Sequence, residues 1–121
     1  MADQLTEQVI AAAIEVHRIL GPGLLESIYE EALCHELKIR DIPFERQKDI
    51  DVMYKNVRIK GQRLDLLVQH EVIVEIKSVK TLDEVFTAQV LSYLRSTGMK
   101  RALLLNFGAA RLVDGVKRFS L

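Results

Sequence analysis

The chain has no tryptophan, one cysteine and two prolines, and only 6% of it is aromatic. A single thiol, Cys34, excludes an internal disulfide and a cysteine-built zinc site. Apolar runs are a handful of residues long, far short of the ~20 that a membrane-spanning helix needs, so no membrane partner is expected. The start, Met1-Ala2-Asp3-Gln4, lacks the basic-then-apolar pattern of a secretory leader. A reducing, cytoplasmic setting is the expectation. Low-complexity tracts and internal repeats are absent as well, which argues against disorder. What remains is 121 residues, 49% of them hydrophobic, enough for one compact domain spanning positions 1–121.

Net charge is zero, which speaks against strong non-specific attraction to a polyanion, but the average hides a split. Residues 1–51 carry 11 acidic and 5 basic side chains, whereas residues 52–121 carry 6 and 12. The basic half includes Lys55, Arg58, Lys60 and Arg63 on one segment. Such asymmetry fits a phosphate-facing surface. It equally fits two halves that attract each other, within one chain or across a homodimer with a shared groove.

Leu5, Val9, Ala12, Ala13, Val16 and Leu20 recur at helical spacing and predict a helix over 4–20, with Asp3 or Thr6 as its cap and Gly21-Pro22-Gly23 as its stop. A second helix is expected from about 24 to 40. Alternation from Phe44 through Ile59, with a Lys55-Asn56 turn, reads as half-exposed strands. Gly61 is expected to break them before two buried strands, 64–68 and 72–76. A third helix over 83–97, a buried strand over 101–107 and a terminal edge strand or short helical tail complete the order α-α-β-β-β-β-α-β. The helix between two buried strands demands a crossover, so 72–77 and 102–107 are expected to be parallel neighbours, and 64–77 an antiparallel hairpin. A mixed α/β sheet with helices on its faces follows.

Three charges interrupt the buried hairpin: Asp65, Glu75 and Lys77. If its loop is the three residues Gln69-His70-Glu71, Asp65 lies opposite Glu75, about 5 Å away between Cβ atoms, where like charges destabilise. A hard divalent cation reverses that sign, because such ions take oxygen ligands from one or two carboxylates. Lys77 projects from the same face as Glu75 and could orient a water or stabilise charge on a phosphate. A two-residue loop would leave the acids diagonal, and a local salt-bridge cluster is the plain alternative. Gln89 and Tyr93 stack one turn apart among the apolar residues of the third helix, where Gln89 needs a partner, either a site ligand or backbone. Glu26 flanks the apolar stripe of the second helix, while Glu30 and Glu31 read as solvated charges. His17 borders the apolar face of the first helix, as a structural residue or a ligand.

Asp65 with Glu75-Ile76-Lys77 resembles the PD-(D/E)xK nuclease signature, and Gln89-x-x-x-Tyr93 resembles the QxxxY motif of its RecB-like branch. Gly23-Leu24-Leu25-Glu26-Ser27-Ile28-Tyr29 is similar to the run that names the GxxExxY protein family. The flanking Val16-His17, Leu20-Gly21-Pro22 and Leu105-Asn106-Phe107-Gly108 match it too. The resemblance covers nearly the whole chain; position 64 is Leu where the signature has proline, a loose position in that superfamily. It implies a restriction-endonuclease-like αβββαβ core with an extra N-terminal helix. It also implies Mg²⁺, or Mn²⁺, held by Asp65, Glu75 and the Ile76 carbonyl. Lys77, Glu26 and Gln89 would then be catalytic, and Tyr93, His17 and Tyr29 would contact substrate. The implied activity is metal-dependent hydrolysis of phosphodiester bonds in nucleic acid, DNA being the expected substrate. The alternative is a catalytically silent module that binds nucleic acid or a protein.

Overall fold

The computed structural model describes residues 3–121, so the first two positions of the N-terminal run lie outside the described residues. Helix α1 (Gln4–Leu20) opens on Asp3, whose carboxylate accepts the Leu5 N–H and the Thr6 hydroxyl. It closes on Gly21, whose backbone at φ +70° turns the chain while its N–H still reaches the His17 carbonyl. Helix α2 (Glu26–Ile39) begins two residues later than its apolar pattern predicts. The Tyr29 hydroxyl accepts the Leu24 N–H and donates to the Gly21 carbonyl, holding 21–25 as a loop.

Strands β1 (Phe44–Tyr54) and β2 (Val57–Val68) form a long antiparallel hairpin, and β3 (Val72–Lys77) pairs antiparallel with the end of β2. Helix α3 (Glu84–Thr97) crosses over to β4 (Arg101–Asn106), which runs parallel to β3. A short 3₁₀ turn leads to β5 (Val116–Ser120), so the terminal segment is an edge strand, antiparallel to β4. The sheet order is β1-β2-β3-β4-β5. Three strands, not four, precede α3. Gly61 does not end a strand; at φ +129° it lies within β2, beside the register slip opposite Ile50 and Val52. Glycine there absorbs a bulge that a side chain would resist.

The result is a three-layer, mixed α+β, restriction-endonuclease-like fold. Leu66, Val68, Val72, Val74, Ile76, Leu103 and Leu105 face α1 and α2. Leu64, Leu67, Ile73, Ala102 and Leu104 face α3 through Val90, Tyr93 and Leu94. Each fully buried aliphatic side chain contributes roughly 1.5–3 kcal/mol, so the central strands carry most of the stability. Among the described residues no helix is long and apolar enough to cross a membrane.

Candidate active site at the fork of two strands

The β2–β3 turn has three residues, Gln69-His70-Glu71, with Gln69 and His70 in the left-handed region at φ 50° and 56°. This sets the expected register: Leu66, Leu67 and Val68 pair with Val74, Ile73 and Val72. The ladder then stops, one step short of Asp65 and Glu75. Face alternation on β2 also breaks there, since Leu64 and Leu67 share the α3 side while Leu66 and Val68 take the other. Instead of a backbone acceptor, the Asp65 carboxylate takes the Ile76 N–H at 2.8 Å. Beyond this link the two strands fork. A residue's N–H and C=O leave a strand on the same side, so the Ile76 carbonyl also faces the fork.

Glu75 is buried at 4% exposure on the α3 side of β3. Its Oε2 lies 3.4 Å from the Lys77 ammonium, while its Oε1 is buried with no hydrogen-bond partner. Part of the salt-bridge reading is therefore realised, and it leaves one carboxylate oxygen unmatched. Burial, then the nearby Asp65 charge, push the Glu75 carboxyl up to about 7 despite Lys77. Asp65 is raised as well, chiefly by burial and opposed by the Ile76 N–H. Lys77 is held over the Phe86 ring at 4.6 Å, on the first turn of α3. Tyr93, one turn beyond the half-buried Gln89, has its phenol pushed up to about 12 by burial and then by Glu75 and Asp65. The α3 face thus joins the site.

Glu26 is the first residue of α2 and is exposed, with its charge felt at Asp65. Ser78 ties this helix start to the site, its hydroxyl donating to the Leu24 carbonyl at 2.6 Å. The polar contacts of His17 and Tyr29 run elsewhere. His17 Nε2 bonds the Ala109 carbonyl at 2.9 Å, and Tyr29 stacks on Phe107 at 4.5 Å while holding the Gly21–Leu24 loop.

Two side chains outside the sequence expectations belong to the site. Glu30, expected to be solvated, is buried at 8% exposure and takes Arg46 at 2.8 Å and the Gln47 amide at 2.8 Å. Gln47 also reaches towards Asp65 Oδ1, at 3.5 Å. Gln47 has φ 49°, and among the described non-glycine residues with positive φ it is the one inside a strand flanked by regular pairs. Strain of this kind costs on the order of 1–3 kcal/mol and tends to sit at functional positions. The one sequence signal for Gln47 was a polar residue in an alternating strand, which says nothing of its φ.

Among the described residues no three His, Cys, Asp or Glu side chains enclose a metal by themselves. The donor set at the fork is instead two carboxylates and one backbone carbonyl, all oxygen, which suits a hard divalent ion that keeps several waters. The orphaned Glu75 Oε1 and the mutual repulsion of the acids are what such an ion would relieve. The residues present therefore fit a divalent metal. No curated protein and no solved structure matches the chain. The sequence profile of the PD-(D/E)XK nuclease superfamily does match, over residues 3–119, and by that match the chain belongs to this superfamily.

Proposed function

We propose that this protein is a single-domain, divalent-metal-dependent nuclease that hydrolyses phosphodiester bonds, with DNA as its expected substrate and Mg²⁺ or Mn²⁺ as its cofactor. The observation that carries the reading is the buried, partnerless Glu75 Oε1 beside Asp65 at the strand fork. Asp65, Glu75 and the Ile76 carbonyl would hold the ion; when bound, it supplies Lewis-acid stabilisation of a phosphate oxygen and acidifies a water. Lys77, fixed between Glu75 Oε2 and the Phe86 ring, offers a positive charge to the phosphate oxygens. Glu26 at the helix start and Gln89 on α3 would orient the attacking water, and Tyr93 would hydrogen-bond the substrate. Tyr29 would enter through the Gly21–Leu24 loop whose shape it holds beside Ser78, and His17 would reach substrate from its place against the Ala109 carbonyl. The Gly23–Tyr29 run supports a place in the GxxExxY group, and Gln89 with Tyr93 supports the RecB-like branch.

The test compares wild type with Glu75→Ala for Mn²⁺ binding by calorimetry and for Mg²⁺- or Mn²⁺-dependent cleavage of plasmid, single-stranded DNA and RNA. Cleavage and ion binding by wild type, with at least a 100-fold loss in the variant, are expected (about 2.7 kcal/mol at the transition state). Nucleic-acid binding without cleavage would favour the silent module. No cleavage and no site-dependent ion binding would sink the nuclease reading.

A further inference from the structure

Past the fork, the β1–β2 hairpin continues as an arm that β3 does not accompany, since β3 pairs with β2 only at Leu66–Val68. Over its ladder from Lys48 to Leu64 this arm carries five basic side chains, Lys48, Lys55, Arg58, Lys60 and Arg63, against two acidic ones, Asp49 and Asp51. Residues 53–61 are all exposed. Arg58 and Arg63 contact Asp51 and Asp49 on β1 at 3.2 and 2.9 Å, but these pairs are solvent-exposed, and such pairs hold little against a competing phosphate. Lys55, near the Tyr54 ring, and Lys60 have no carboxylate partner among the described residues. Ladder pairs Tyr54–Val57 and Val52–Ile59 put four of the arm's apolar side chains on one face, while Met53 shares the other with Arg58.

We propose that this arm grips duplex nucleic acid at a distance from the scissile phosphate, through Lys55, Arg58, Lys60 and Arg63. The inference rests on the fork being a phosphodiester-binding site and adds the substrate class and the surface that holds it. Charge complementarity is the first argument: the arm is a basic element on a chain of zero net charge. Shape is the second. A two-stranded β-ribbon fits the major groove, about 12 Å wide, where exposed apolar side chains meet thymine methyl groups. Reach is the third. From Asp65 to Val57 the strand extends roughly 26 Å at about 3.3 Å per residue, or about eight base pairs at 3.4 Å each. A duplex holds its phosphates in line over that span; a single strand does not. Single-strand grooves rely instead on aromatic stacking platforms, and among the described residues Tyr54 is the only large aromatic that is exposed.

The experiment measures fluorescence anisotropy of labelled duplex DNA of 24 and 6 base pairs, and of a 24-nucleotide single strand, in EDTA between 50 and 200 mM KCl. Wild type is compared with the Lys55→Ala/Lys60→Ala double variant, with Mn²⁺-dependent cleavage assayed in parallel. Each lost phosphate contact lowers the salt slope by about 0.9, so the double variant should lose about 2 from the slope on the long duplex. The 6-base-pair duplex, too short to span fork and arm, should be held more weakly than the 24-base-pair duplex by the wild type. The double variant's melting temperature should be unchanged, because both side chains are exposed. An unchanged slope in a wild type that binds and cuts duplex overturns the arm and leaves the nuclease reading standing. A wild type that holds the single strand more tightly than the duplex also overturns it. Altered sedimentation of the variant with an unchanged slope would assign the arm to a second copy of the chain instead. A wild type that neither binds nor cuts any nucleic acid takes down the nuclease reading, and the arm with it.

Discussion

Strand β2 behaves as two strands joined at Asp65. Its rear end, Leu66–Val68, has β1 on one side, β3 on the other, and helices over both faces. Its front end has β1 on one side and no strand on the other, α3 meets it only at Gln62 and Leu64, and from residue 57 to 61 every position is exposed. The rear is stable because apolar side chains leave water on both faces. Ahead of Gln62, which bonds Ser92 and Ser96 of α3, the front has little more than its ladder with β1, and an isolated hairpin is marginal in water. The junction therefore sets a rigid floor beside the point where the β2–β3 ladder ends. Asp65 and Glu75 are held by the floor, at the place where the two strands part. Burial that would merely penalise a carboxylate elsewhere becomes a way to hold two of them close, provided something positive completes the set.

The largest effect expected from this contrast lies in the rear. Leu66→Ala, at a fully buried position, should cost about 2–5 kcal/mol in urea unfolding. Ile59→Ala in the arm should stay within about 0.5 kcal/mol; equal costs would mean that the arm is packed as firmly as the floor.

Next comes pH. With its carboxyl at about 7 rather than the ordinary 4.5, folded Glu75 keeps a proton that the unfolded chain releases. The resulting stability is fully present below 4.5 and is lost as pH rises to about 7, on the order of 3 kcal/mol in metal-free protein. Thermal melts from pH 4.5 to 8 should show this decline, Glu75→Gln should flatten it, and saturating Mn²⁺ should restore stability at pH 8. A flat wild-type profile would show that the fork tolerates both charges without help.

A smaller effect tests how the floor aims Asp65. Gln47→Gly removes the amide between Glu30 and Asp65 but accepts φ 49° without strain. Mn²⁺ affinity by calorimetry should fall by about 10–100-fold, the usual cost of losing a group that orients a metal ligand, while the melting temperature barely moves. Unchanged affinity would make Gln47 a strand irregularity and nothing more.

Much of this was legible in the residues. Helical spacing located α1 and α3 with their glycine stops; Asp3 was one of two cap candidates for α1, and Asp83, expected inside α3, is its N-cap. The β2–β3 register was one of two that the turn residues allowed, and the observed three-residue turn selects it. Gly61 misled, because a glycine that ends a strand and one that absorbs a bulge look alike in sequence. Glu30 misled too: its helix position suggested solvent, and only Arg46 and Gln47, brought over it by β1, make it a buried acid.

By itself, then, the sequence determined which charges interrupt the buried hairpin, that Glu75 and Lys77 share a face, and that a crossover helix returns over them. These are consequences of chain period and turn length. Only the tertiary structure decided that the ladder stops one step before Asp65, that Asp65 turns sideways to the Ile76 N–H, and that one oxygen of Glu75 is left without a partner. Those outcomes depend on how far β2 and β3 stay together. That is a matter of contacts between segments distant in the chain, and no local pattern encodes it.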